Sequence, residues 1–297
     1  ADLLGDLLVD RAAGQACGDT PLTYARELIA PQAPPPAPTP PYSLGRFAGN
    51  LFMAVWIVIF VSAAWNIYDG FNEEKFFKYG PRMVHGLGVT LQLVLTSIIL
   101  GAILSLPIAL ARMSRSKILS SVSYAYVYFF RGTPLIAQLY LIYYGLGSFR
   151  LFFESINMWW FFKEAYFCAL FAFTLNTAAY QAEILRGAIE SVPRGQTEAS
   201  HALGLGRISS FRKVILPQAL MVALRPYGNE IILMIKGSAI VAVVTVFDLM
   251  GETKYAYSRT FDFQMYLWAA ILYLIIVEAL RNGWNWIDRR LTKHLKR

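Results

Sequence analysis

Several polar side chains fall inside stretches that are otherwise apolar: Gln138, Tyr143, Asn176, Lys236, Ser238 and Thr245. A polar solute moving through an apolar core must exchange its water for protein dipoles, and these groups can supply them. Lys236 is the cation of the set and could offset a carboxylate. None is acidic, so the chain by itself offers no partner there to a basic side chain. Packing is the competing reading for Tyr143, as it is for Tyr140 and Tyr144. Glu230 shares the apolar surroundings of Lys236, but their spacing keeps them off one helix face. Ionisable groups in such segments face protein or water rather than lipid. Glu230 is expected to be structural and Lys236 to line a pathway. Asp248 reads as a solvated residue at the end of the same stretch.

A second group is Arg131-Gly132-Thr133-Pro134. It interrupts a run from Lys117 to Phe149 that is otherwise uncharged and, as one helix, would be about 48 Å long. That is too long for one straight span across a hydrocarbon layer of roughly 30 Å. Either the chain breaks at Gly132-Thr133-Pro134, or its first turns lie along the interface. Irregular backbone at membrane depth is tolerated where it lines a cavity. Arg131 could donate to carbonyls freed at such a break, or serve as a gate.

A third group lies in a loop. Glu198, Ala199, Ser200, His201, Ala202, Leu203 and Gly204 read as a short helix, with Gly204 at its C-terminal cap. Ala199, Ala202 and Leu203 share one face. Pro217, at the end of Val214-Ile215-Leu216-Pro217, can open the next helix. A small helix held off a membrane by two spans suits docking into a groove on a soluble partner. Capping alone is the plainer reading of Glu198 and Gly204. Glu183 and Arg186, at the start of this loop, read as interfacial anchors or an inter-helix pair rather than substrate groups.

Other chemistries find no support. His85, His201 and His294 are far apart and make no metal or catalytic cluster. Cys17 and Cys168 form neither a CxxC pair nor a disulfide framework. No nucleophile-and-base set converges. No G-x-x-x-x-G-K-[ST] occurs, so phosphates of ATP are not cradled in that way.

The elements that must position these groups are apolar helices. The chain is 56% hydrophobic and 15% charged, against about 25% charged in soluble domains. Spans are expected at Phe47–Tyr68, Met83–Ala111, the interrupted Lys117–Phe149 run, Ala165–Ala182, Tyr227–Leu249 and Phe263–Leu280. The fold class is therefore all-α integral membrane, with about six transmembrane helices. Pro107 is placed to kink the second span. Residues 150–164, rich in Trp and Phe, read as an aromatic belt at one membrane face. Residues 1–45 form a polar tail whose stretch 31–41, PQAPPPAPTPP, is a polyproline-type linker. No basic stretch followed by an apolar core marks a signal peptide there.

The formal net charge is +8, and its distribution is informative. Lys and Arg gather after the second span (Arg112, Arg115, Lys117), between spans four and five, and after the sixth. The alternate loops hold fewer. The positive-inside rule then places both termini and the loop 183–225 in the cytoplasm. Membrane topology accounts for the basic balance, and no nucleic-acid partner is expected.

The loop resembles a known pattern. Glu198-Ala199-Ser200, then Gly204, then Val214-Ile215-Leu216-Pro217 is similar to the EAA motif of bacterial ABC import permeases. Ser200 stands where Ala is usual. Ala179 to Ile189, Ser191 to Gln196, and Phe130-Arg131-Gly132-Thr133-Pro134-Leu135 with Gln138 and Tyr144-Gly145-Leu146 resemble the polar amino-acid branch. Lys236-Gly237-Ser238 and Ile287-Asp288-Arg289-Arg290-Leu291 are most similar to its histidine/arginine/opine-type subunits. The resemblance covers about residues 82–295 and implies a five-helix core. The span at 46–69 lies outside it as an extra N-terminal helix.

The resemblance implies a bacterial inner-membrane subunit that works with three kinds of partner. A second homologous permease subunit completes the pathway, and a heterodimer is favoured because the extra span reads as an addition specific to one partner. An ATPase dimer binds ATP and Mg and receives the 194–217 loop, so this chain needs no cofactor and is not itself an enzyme. A periplasmic binding protein delivers the substrate, expected to be a polar L-amino acid with a lean to basic ones, or an opine. The alternative is an ATP-independent secondary amino-acid transporter or channel, though no inverted repeat is evident.

Overall fold

The computed structural model describes residues 44–293 of the chain. The tail, its proline-rich linker and His294 lie outside the described residues. The described residues fall into two units, divided after Ser62.

What is described of the first unit belongs to α1 (Leu44–Asp69). Apolar side chains such as Phe52, Met53, Val55, Ile57 and Val58 lie on every face of it. Aromatic rings follow one another along it, with Phe52 and Trp56 edge to face at 6.1 Å. A helix apolar all round is one that lipid or other spans surround.

The second unit is built on α2 (Glu73–Arg112) and α7 (Ala165–Glu190). Thr90, Val94, Ser97, Gly101 and Ser105 recur at helical spacing along α2 and are buried. Gly101 of this row meets Thr177 and Ala178 on α7, whose buried small residues also include Ala172, Ala179 and Ala182. Lipid tails are as apolar as leucine, so membrane helices gain from close van der Waals packing, which small residues permit. Gly101 marks the tightest approach: a Cβ there would stand 2.5 Å from Thr177 Cγ2.

Between them run α3 (Lys117–Gly132), the short α4 (Leu135–Tyr140) with its π-helical extension Leu141–Leu146, α5 (Arg150–Ser155) and α6 (Trp159–Phe162). After α7 come α8 (Arg194–Ala202), α9 (Arg207–Ser210) and a π turn, Phe211–Ile215. Then α10 (Leu216–Ser238) runs into a 3₁₀ segment, Ala239–Val244. α11 (Leu249–Thr260) and α12 (Gln264–Leu291) close the chain. No strand occurs among the described residues.

Four helical stretches are long and apolar enough to cross a membrane: Leu44–Asp69, Glu73–Arg112, Arg207–Val244 and Gln264–Leu291. The two remaining expected spans are the interrupted α3–α4 run and α7. α7 is less apolar because it is central. Half of its residues are buried against protein, and Thr174, Asn176, Thr177 and Gln181 are among them.

Two expectations are corrected beyond the 3₁₀ segment. The fifth span ends at Val244 rather than Leu249, because Thr245 turns the backbone into the left-handed region (φ +63). Asp248 is then not a solvated loop residue. It is fully buried, caps α11 by accepting the Gly251 N–H at 2.8 Å, and lies 3.4 Å from Thr90 Oγ1. Two ion pairs hold α2 against the segment that follows: Arg82 with Glu252 at 2.9 Å and Lys75 with Asp262 at 2.5 Å. Burial works against the Asp262 charge, but the Lys75 ammonium and the Gln264 N–H outweigh it, and the carboxyl sits below its ordinary range.

Candidate functional site

The loop helix α8 ends as its sequence suggests, and for a definite reason. The Leu205 N–H reaches back to the Ser200 carbonyl at 3.0 Å, and the Gly204 N–H to the His201 carbonyl at 2.9 Å. That pair of bonds is a Schellman turn, which requires a left-handed residue at Gly204. Its φ is +76. The turn sends the chain back on itself, and α9 packs on α8. Ser200 and Ser210 are both buried there and share a short hydroxyl–hydroxyl hydrogen bond. Ser200 also donates to the Thr197 carbonyl at 2.8 Å.

The opposite side of the turn is bare. Glu198, Ala199, His201 and Ala202 are exposed. Leu203 is 81% and Ile208 83% exposed, two apolar side chains presented at the tip of a polar loop. At the loop's root, Arg186 bridges Glu183 at 2.5 Å and Glu190 at 2.6 Å, while Arg112 of α2 approaches Glu183 at 3.6 Å. Pro217 stands in the first turn of α10, and Gln218 ties that turn to Gln196 of α8 at 3.3 Å. The loop is thus held at both ends while its tip is free.

The interruption after α3 is a true break. Thr133 (φ −110, ψ 147) and Pro134 (φ −62, ψ 135) are extended between two helices. Pro134 has no N–H, so the Phe130 carbonyl loses its helical partner. Two side chains replace it: Gln138 Nε2 donates to that carbonyl at 2.9 Å and Asn176 Nδ2 at 3.0 Å. Gln138 also donates to the Thr133 carbonyl at 3.1 Å, and Asn176 to Gln138 Oε1 at 2.9 Å.

Three candidate residues sit at or beside this break. Gln138 and Asn176 are buried and hydrogen-bonded to it. Arg131 does not serve the freed carbonyls. Its guanidinium lies over the Tyr180 ring at 5.3 Å. The other polar candidates are dispersed. Ser238 is fully buried and donates to the Ile235 carbonyl at 2.7 Å. Lys236 is exposed on α10. Tyr143 and Thr245 line one cavity. Glu230 is buried between α10 and α7 and accepts from Thr177 Oγ1 at 3.2 Å.

Residues 97–293 match the family described as the binding-protein-dependent transport system inner membrane component. The chain belongs to this family. It is 40% identical over 197 residues to the nopaline transport system permease protein of Agrobacterium fabrum, covering 66% of this chain and 82% of that one. It is 37% identical over 212 residues to the histidine/lysine/arginine/ornithine transport system permease protein of Escherichia coli, covering 71% and 89%. Among solved structures, an amino acid ABC transporter with histidines is similar at TM-score 0.65 and 34% identity, over 74% of this chain and 99% of that one.

The chain is therefore a membrane-spanning ABC importer permease, and ATP hydrolysis in such systems belongs to a separate ATPase subunit. Within the permease, Ser200 in place of the usual Ala now has a physical account. Its hydroxyl has a buried partner in Ser210, so the polar group is not stranded. Sequence reasoning missed Ser210, Ile208 and Tyr180. An apolar Ile208 amid Arg and Ser in a polar loop was the available signal for the second of these.

Proposed function

We propose that this permease subunit carries polar, preferentially basic L-amino acids or opines across the bacterial inner membrane, driven by an ATPase that docks on α8. The observation that carries the coupling part is the loop tip: a Schellman turn at Gly204 leaves Leu203 and Ile208 bare while Ser200 and Ser210 are locked inside. Such an arrangement offers an apolar knob of fixed shape to a groove on a soluble partner. Both termini and the 183–225 loop lie in the cytoplasm, by the Lys and Arg distribution. ATP and Mg are held by the partner ATPase dimer. A second, homologous permease subunit completes the pathway as a heterodimer, and a periplasmic binding protein sets most of the specificity. The opine and basic amino-acid transport names of the relatives support the substrate class.

The test is uptake in proteoliposomes, with labelled arginine competed by a panel of amino acids and opines. Uptake is expected to need ATP, the ATPase and the binding protein together. Uptake without the ATPase would make the chain a secondary transporter instead. Inhibition by acidic or branched apolar amino acids, with none by arginine, lysine, histidine or opines, would reject the substrate class.

Topology has its own check. A single cysteine at His201, which is exposed, should react with an impermeant maleimide only after the membrane is opened. One at Asn157, in the loop between α5 and α6, should react in intact spheroplasts. The reverse pattern overturns the orientation.

A further inference from the structure

We propose that the outer end of the helix bundle holds an amino-acid subsite, a vestibule in which the solute first meets this subunit. The proposal rests on the importer reading above and adds a location and a set of contacts. Four elements distant in sequence converge there: the outer part of α2, the π turn after α4, the start of α7 and the turn after the 3₁₀ segment. They border an open cavity of about 390 Å³, within the roughly 300–1,000 Å³ usual for small-molecule sites. His85, Tyr143, Lys163, Glu164, Thr245 and Phe247 are part of its lining.

The charges suit a zwitterion. Lys163 and Glu164 are exposed, of opposite sign, and on the same cavity wall. Neither belongs to an ion pair among the described residues. Lys163 meets the carboxylate of an amino acid and Glu164 its ammonium group. Glu164 is also the N-cap of α7 and makes no side-chain capping bond there, so first-turn N–H groups of a long helix add to the positive end of the site. The Tyr143 hydroxyl and the His85 imidazole supply hydrogen bonds, and Phe247 an apolar wall. The cavity of about 400 Å³ deeper in the bundle, lined by Ile98, Leu106, Leu185 and Leu220 around Glu230, has no cation in its lining and does not match a carboxylate.

Thr245 fits the same account. A β-branched residue in the left-handed region is strained, and such strain persists where the surroundings over-determine it. Here the turn buries Val246, leaves Phe247 exposed and delivers Asp248 to the start of α11. Thr245 and Phe247 are thereby held at the edge of the cavity on a short, fixed turn.

The test uses the assembled importer in spheroplasts, with Cys17→Ser and Cys168→Ala and one new thiol, Phe247→Cys. An impermeant maleimide added outside should label it. With the binding protein absent, L-arginine at ten times its Kd for the vestibule should slow labelling about tenfold, by mass action. Glu164→Gln should lift that protection at the same arginine concentration. Lys163→Gln should do so too, and serves if Glu164→Gln fails to assemble by size exclusion. Labelling unaffected by arginine, in a complex that imports arginine when the binding protein is restored, overturns the vestibule and leaves the importer reading standing. Full protection in both charge variants overturns the assignment of the two ends. No amino-acid uptake by the parent complex overturns the importer reading instead.

Discussion

Gly204→Val should abolish uptake while the permease still inserts into the membrane. Gly204 sits at φ +76, with open space where a Cβ would point. The penalty is therefore conformational rather than steric. The left-handed region costs an ordinary L-residue about 1–2 kcal/mol, and a β-branched one is a genuine outlier there. The cheapest escape is to abandon the turn, which frees the Leu205 and Gly204 N–H groups from the Ser200 and His201 carbonyls. α9 then leaves α8, the Ser200–Ser210 pair opens, and Leu203 and Ile208 lose their fixed spacing. None of this touches the packing of α2 on α7, so insertion survives. Gly206→Ala is the control. Gly206 has φ −65 and equal room for a Cβ, so its variant should transport normally. Uptake in proteoliposomes and co-purification of the ATPase give the readout. Normal uptake by Gly204→Val would remove the basis for assigning α8 to coupling.

Gln138→Leu should strongly destabilise the permease, in the absence of any substrate. The substitution removes the donor shared by the Phe130 and Thr133 carbonyls and the acceptor used by Asn176. Each buried polar group left unpaired costs about 1–3 kcal/mol, and no water replaces the partner in the interior of a span. Asn176 keeps the Phe130 carbonyl, so the loss is partial at that atom and complete at Asn176 Nδ2's second contact. Asn176→Leu should add to the damage less than additively, because the two side chains belong to one network. The measurement is thermal unfolding of the detergent-purified complex by fluorescence size exclusion. If Gln138 instead served the solute, Gln138→Leu would leave the melting curve alone and change uptake only.

The two predictions separate the subunit's halves. The first concerns the loop to which we assign coupling, and the second a break that a membrane helix tolerates only with side-chain help. Their physics is shared: each special backbone conformation persists because particular groups satisfy the hydrogen bonds it leaves over.

Much of this was legible in the sequence because it is local. Apolar run length announces membrane helices, whatever they pack against. Gly204 after Glu198-Ala199-Ser200 announces a helix end, since only glycine enters the left-handed region freely. Pro134 announces an interrupted helix, since it has no N–H to give. What tertiary structure alone decided is which groups meet across long separations. Asn176 reaches the Phe130 carbonyl 46 residues away, and Thr90 lies beside Asp248 at a separation of 158. No periodicity encodes such pairings. They follow from the close approach of α2 and α7 over small residues and from the turn at Thr245. For that reason the hydrogen bonds of Gln138 and Asn176 to the break were not legible in the sequence. Asp248 looked solvated and is a buried cap. Lys163 and Glu164, at the end of a stretch that reads as an aromatic belt, come to line one cavity with Tyr143 and Thr245 only once four distant segments have folded together.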